Sequence, residues 1–343
     1  MVVPETAPSA EQLETAAAAS TMASNTNIDP ASISEKPATS NKQTTELAPE
    51  VSDLGKEQQT TPSSTLTWPE LSKGHPLTQL SGKLKSLLEQ ADYSEIYGIK
   101  LVVPPDFHTY LILQKFLRAN NNDLEKAQAQ LLATLKWRKS FQPLKTLDET
   151  FSRERFGGLG FIIRLNKVPG SLNEHDVATF NLYGAVKDPK VTFEDVDGFL
   201  RWRVGLMELS LQMLNLQEAT KPIPDYGKGA DPYQAIQVHD YMQVSFLRQD
   251  PHTKAASKKA IDTFKNYYPE TLSRKFFVNV PVIMGWMFNA VSLVLSKETV
   301  KKFTVLSYGN TLNTELGNDV PEEYGGKGQA LEGRGLGPAL QDS

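Results

Sequence analysis

The run AIQVHDYMQV (235–244) gathers side chains capable of chemistry. A strand period of two puts Gln237, His239, Tyr241 and Gln243 on one face and Ile236, Val238, Asp240 and Met242 on the other. An imidazole and a phenol on one face can serve a metal, since histidine and tyrosinate both ligate iron; the imidazole can instead donate a hydrogen bond to a phenolate. The chain has no Cys. That removes disulfides, thiolate zinc sites, iron–sulfur clusters and cysteine-ligated haem, so iron would need His, Tyr or Met. The spacing does not choose between His239 and Tyr241, and two ordinary structural side chains would satisfy it equally.

Two cations stand where an anion would be useful. At helical spacing the neighbours of Arg203 are Val196, Phe199, Leu200, Leu206 and Met207, an apolar face. A guanidinium there needs an anionic partner such as a phosphate or propionate, or it pairs with an interior carboxylate, or it snorkels to water along its methylenes. Arg201, beside Asp197 and Gly198, is expected to face water. Lys275 precedes the apolar run FFVNV and is placed to reach a buried anion. Lys254, Lys258 and Lys265 form the outer face of the helix KAASKKAIDTFKNYY, an ordinary solvated face or an attraction for anionic head groups.

These residues need a scaffold, and the hydrophobic pattern supplies one. Residues 1–67 lack Phe, Trp and Tyr, and residues 1–60 hold nine Asp/Glu against three Lys. A disordered tail is expected there. The formal charge of the whole chain is −4, so the remainder is close to neutral, which argues against a protein that grips nucleic-acid phosphates. Residues 68–148 read as a helical lobe, with Asp123 a plausible N-cap for the periodic Leu124, Ala127, Leu131 and Leu135. From 149 to 328 short strands (GFIIRLN, TFNLYGA, AIQVHDYMQV, FFVNV, TVLS) alternate with helices, predicting an α/β domain with a mostly parallel sheet. On an interior strand of such a sheet the polar row of 237–243 faces a cavity; on an edge strand it faces water. A tail is expected at 329–343, with looseness beginning near Gly325. Phe276–Ser296 carries no charge over 21 residues, but Asn279, Pro281, Gly285 and Asn289 interrupt it, so it reads as strand plus apolar helix. There is no secretory signal pattern, and the cytosol is the default compartment. P-loop, Gly-x-Ser-x-Gly, His-Glu-x-x-His and dinucleotide fingerprints are missing; GGLGF at 157–161 lacks the required spacing.

Over residues 80–328 the order of segments resembles the CRAL-TRIO lipid-binding family. LQKFLRANNNDLEKAQAQLLATLKWR is similar to its N-terminal helical lobe, NYYPETLSRKFFVNVPVIMGWMFNAVSLVLSKETVKKFTVLS to its most diagnostic stretch, and VPEEYGGKG to its closing motif. NLYGAV, RWRVGLMELSL and QVHDYMQVSF resemble the fungal branch of non-classical phosphatidylinositol transfer proteins, some of which bind haem. The resemblance implies a helical lobe and a mostly parallel sheet enclosing a hydrophobic cavity, with a helical gate near 284–302. It implies binding and exchange of phosphatidylinositol and transient contact with a membrane surface. The compartment would be cytoplasm with peripheral association to the endoplasmic reticulum, and the role phosphoinositide homeostasis or oxidant-stress response. It further implies haem b with Tyr241 as iron ligand, His239 beside it, and Tyr183, Arg203 and Lys275 around the porphyrin. The competing expectation is a peroxidase- or catalase-like haem enzyme. The carrier is favoured, because no distal acid–base group is identifiable beyond His239.

Overall fold

The structure, a computed structural model, describes residues 66–244, 250–281 and 301–342. The tail expected over residues 1–67, apart from 66 and 67, and most of the gate expected near 284–302 lie outside the described residues.

Three helices build the first lobe: α1 (Pro76–Ala91), α2 (Phe107–Ala119) and α3 (Leu124–Phe141), with a small hairpin of β1 (Glu95–Ile96) and β2 (Ile99–Lys100) between α1 and α2. Each start is capped. Asp106 accepts from Thr109 N, and Asp123 accepts from Lys126 N, the cap expected from sequence. Leu77, Leu80 and Leu84 of α1 pack with Leu111, Phe116, Leu131 and Leu135.

The second lobe holds a five-stranded sheet in the order β4 (Gly160–Asn166), β5 (His175–Leu182), β6 (Ala235–Asp240), β7 (Leu272–Val278), β8 (Phe303–Leu306). Only β4 runs antiparallel; β5 to β8 are parallel. Strand β6 is therefore central, and Gln237 and His239 of its polar row face inward, while Gln243, beyond the end of the strand, is exposed. Helices α4 (Val196–Leu214) and α5 (Pro251–Tyr267) belong to the same lobe. A separate apolar layer of Phe180, Val238, Phe276, Val278, Leu312, Leu316 and Tyr324 forms around the strand residues that alternate with that row.

Buried ion pairs tie the lobes together. Arg138 of α3, fully buried, donates to Glu95 and to Glu208 of α4, and Tyr268 donates to the same Glu208 at 2.6 Å. Lys115 of α2 reaches Asp231 at 2.7 Å and the carbonyls of Tyr233 and Glu270. Arg201, expected to face water, instead pairs with Glu149 and donates to the carbonyl of Phe141, because α4 runs alongside the end of α3.

The C-terminal segment also differs from its expected looseness. Residues 339–341 form β9, parallel to β3 (Thr150–Ser152); Leu331 is buried, and the backbones of Leu336 and Ile162 exchange hydrogen bonds. Arg334 bonds the carboxylate and carbonyl of Asp319. One apolar anchor and a line of backbone bonds suffice to hold a segment whose composition looks loose. Deleting residues 329–343 is expected to lower the unfolding free energy in urea by about 2–4 kcal/mol. An unchanged midpoint would show that the segment contributes nothing.

Candidate functional site

The register across the sheet assembles the site. Thr179, Gln237, Lys275 and Phe303 align across β5 to β8, and the next row on that face is Asn181, His239, Phe277 and Val305. Tyr183 follows β5 in a short 3-10 turn, and Tyr241 follows β6. All five residues singled out from sequence lie in one neighbourhood. The Tyr183 ring sits 5.3 Å from that of Tyr241 and 5.4 Å from His239, with Phe277 6.3 Å from Tyr241. Arg203 of α4 is hydrogen-bonded to Tyr183 and stacks over Phe264 of α5 at 5.2 Å. The Lys275 ammonium lies 5.1 Å from the Phe277 ring centre.

One detail differs from the sequence reading. Strand β6 stops at Asp240, so Tyr241 and Gln243 do not continue its alternation. The Asp240 carboxylate accepts from Met242 N, and Gln243 adopts φ 65°, which turns the chain away from the sheet. Tyr241 still lies against Tyr183 and Phe277 because its N–H bonds the carbonyl of Val278 at the end of β7.

The electrostatics of this region are unusual for an interior. Arg203 is 3% exposed, Lys275 1% and His239 3%. Among the described residues Arg203 makes no ion pair; its side-chain hydrogen bond goes to a neutral phenol. Burial pulls Lys275 down to about 7, with Arg203 adding to the effect, and pushes His239 well below its usual range, helped by Lys275 and Arg203. Burial likewise drives the Tyr241 hydroxyl well up, so the phenol keeps its proton unless a cation replaces it. The His239 ring nitrogen Nε2 lies 3.2 Å from Gln237 Oε1, which fits a neutral imidazole donating there.

Two features were missed in the sequence. Asn181, 2% exposed, bonds Val238 O through Nδ2, while its Oδ1 has no hydrogen-bond partner. It lines a small cavity with Tyr183 and Arg203. Its position two residues before Tyr183 on a strand was the available signal. The second is a cavity of about 410 Å³ between the lobes, with polar lining from Asn120, Gln130, Gln237, Asn266, Glu270 and Lys302. Glu270 and Lys302 pair there at 3.5 Å. Its residues span the chain from 119 to 302, so no local pattern announces it.

This donor set fits an anionic, partly aromatic ligand. A porphyrin with carboxylate arms fits it: phenol and imidazole for iron, aromatic rings for a planar face, and two buried cations for propionates. Among the described residues no helix is long and apolar enough to cross a membrane.

The charge of the site fixes how stability depends on pH. Between about 7 and its ordinary value of 10.5, Lys275 binds fewer protons in the folded than in the unfolded chain. The ligand-free protein therefore gains stability as pH rises from about 7 to 9, and the full penalty applies below that window. The depressed His239 acts in the same direction at pH below about 6.5. Lys275→Met is expected to flatten the rise and to stabilise the ligand-free protein at pH 6 by on the order of 1–3 kcal/mol. Denaturation midpoints across pH 6–9 measure this, and a wild-type profile in the variant would contradict it.

Residues 180–326 match the CRAL/TRIO domain and residues 76–133 the CRAL/TRIO N-terminal domain. A protein of Phaeosphaeria nodorum named phosphatidylinositol transfer protein SFH5 is 58% identical over 280 residues, 82% of this chain and 85% of that one. A protein of the same name from Cryptococcus neoformans var. neoformans is 49% identical over 277 residues, 78% of this chain and 92% of its own length. The crystal structure of Sfh5 superposes with a TM-score of 0.64 at 29% identity, covering 79% of this chain and 95% of that one.

Proposed function

The chain belongs to the CRAL/TRIO family, and from that premise we propose that it carries phosphatidylinositol between membranes and binds haem b with Tyr241 as iron ligand. The protein is a carrier and not an enzyme. The observation that carries the haem half is the convergence of buried His239, Arg203 and Lys275 with half-buried Tyr183 and Tyr241 on one side of the sheet, where Arg203 has no carboxylate partner among the described residues.

For the lipid, the interlobe cavity supplies the matching chemistry. A polyol head group needs donors and acceptors in alternation, which Asn120, Gln130, Gln237 and Asn266 provide around Glu270. The Lys302 ammonium answers a phosphodiester. Transient contact with a membrane surface, peripheral association with the endoplasmic reticulum, and a role in phosphoinositide homeostasis or oxidant-stress response follow from this reading as expectations.

When bound, haem supplies a redox-active iron centre with an oxygen ligand. The chain's own residues do the holding. Tyr241 would hold the iron as its phenolate, a form that burial disfavours in the free protein and that a metal cation would compensate. Neutral His239 has a single N–H, now directed at Gln237; turned to the phenolate it would stabilise that charge by hydrogen bonding, and Tyr183 would cover the ring. Arg203 and Lys275 would receive the carboxylates, and those anions would in turn favour the protonated form of Lys275. A peroxidase-like reading would need an acid–base group in addition to the one beside the iron ligand, and among the described residues His239 is the one imidazole in the cluster.

Tyr241→Phe keeps the ring and removes the ligating oxygen, so haem content of protein expressed with haem precursor is expected to fall at least about tenfold, with little change in melting. A wild-type visible spectrum in that variant would refute tyrosinate ligation. Lys302→Ala is expected to slow phosphatidylinositol transfer between liposomes by about tenfold, the loss of one charge-assisted hydrogen bond, while leaving the haem spectrum in place. Unaltered transfer would remove the interlobe cavity as the head-group site.

A further inference from the structure

The end of β6 is held from the opposite side of the sheet. Alternation turns Asp240 away from the His239 row, toward the apolar layer of Val238, Phe276 and Val278. A carboxylate there, 9% exposed, is costly to bury, yet three donors saturate it: Tyr324 Oη at 2.8 Å, Asn279 Nδ2 at 2.7 Å and Met242 N at 2.8 Å. Asn279, at φ 58°, also accepts from Gly309 N at 2.7 Å, so the ends of β6 and β7 and the segment after β8 meet at one point. Tyr324 packs its ring 5.0 Å from Phe180 of β5. Burial and the adjacent Asp240 push its hydroxyl pKa far up, which keeps it a donor at every working pH.

Each backbone group around Tyr241 is thereby fixed. Its N–H bonds Val278 O, its carbonyl accepts from Val244 N, and the next N–H belongs to Asp240. The turn bearing Tyr183 presses on the same turn: a Cβ on Gly184 would collide with the Met242 carbonyl. We propose that Asp240, locked by Tyr324 of the segment that follows β8, is the positioning residue that presents Tyr241 to its ligand from across the sheet. The inference rests on the haem reading above. It makes the segment between β8 and Gly325 a determinant of how firmly iron is held, by ordering the phenol before the ligand arrives.

The test uses the full chain and hemin as probe. Tyr324→Phe removes one hydroxyl and little volume. It is expected to melt cooperatively, to bind hemin with a shifted ligand-to-metal charge-transfer band, and to lose hemin to excess apomyoglobin at least about fivefold faster than wild type. Asp240→Asn keeps an acceptor oxygen and is expected to show a smaller shift in the same direction. Tyr93→Phe, which removes a hydroxyl bonded to Glu95 in the helical lobe, serves as the control for general destabilisation and is expected to leave band and rate unchanged. A wild-type band and rate in folded Tyr324→Phe, or an equal effect in Tyr93→Phe, would overturn the proposal. If wild-type protein takes up no hemin, the haem reading fails separately. The clamp is then decided in ligand-free protein by the ¹⁹F resonance of fluorotyrosine at 241, which moves or broadens in Tyr324→Phe if the clamp holds and is unaltered if it does not.

Discussion

Arg203 projects from α4 with 3% of its surface exposed and a neutral phenol as its side-chain hydrogen-bond partner, a position that costs a guanidinium several kcal/mol unless an anion answers it. Lys275 stands on the same side of the sheet, and its value near 7 records the same penalty, part of it imposed by Arg203 itself. A chain selected only for stability would place apolar residues at both positions. The cost is understandable if the folded protein is completed by a ligand carrying negative charge, and the rings of Tyr183, Phe277 and Phe264 around the cations give that ligand an aromatic face to lie on.

Much of the architecture serves to hold that face in place. Helix α4 carries Arg203 toward the sheet and, five residues on, Glu208 toward the helical lobe, where Arg138 and Tyr268 seize it. The lobe contact therefore sets the height of the guanidinium above the strands. The central place of β6 puts its polar row under α4, and the interlobe cavity opens along the same row at Gln237, whose amide also bonds His239. A lipid head group and a second ligand would thus meet a common wall, a basis for thermodynamic coupling between them.

The alternation of strands and helices, the polar face of 237–241 and the apolar helical neighbours of Arg203 were legible in the sequence because each is a local periodicity. Long-range features were not. The partners of Lys115 and Arg138 lie up to 155 residues away, and the interlobe cavity draws on every region between Ala119 and Lys302. The stop of β6 at Asp240 was hidden because Tyr241, Met242 and Val244 have good strand propensity; a side-chain bond to Met242 N and a left-handed Gln243 override it. The packing of the C-terminal segment was hidden for the opposite reason, since backbone pairing with β3 and Ile162 leaves little mark on composition.

The central claim is that the buried cations and the phenol of Tyr241 form one binding site. Crystals grown with hemin and measured at the iron absorption edge test it most directly. The account expects a single anomalous peak within coordination distance of Tyr241 Oη, with the propionates toward Arg203 and Lys275. A peak elsewhere in the protein, or iron bound with its carboxylates turned away from both cations, would contradict it.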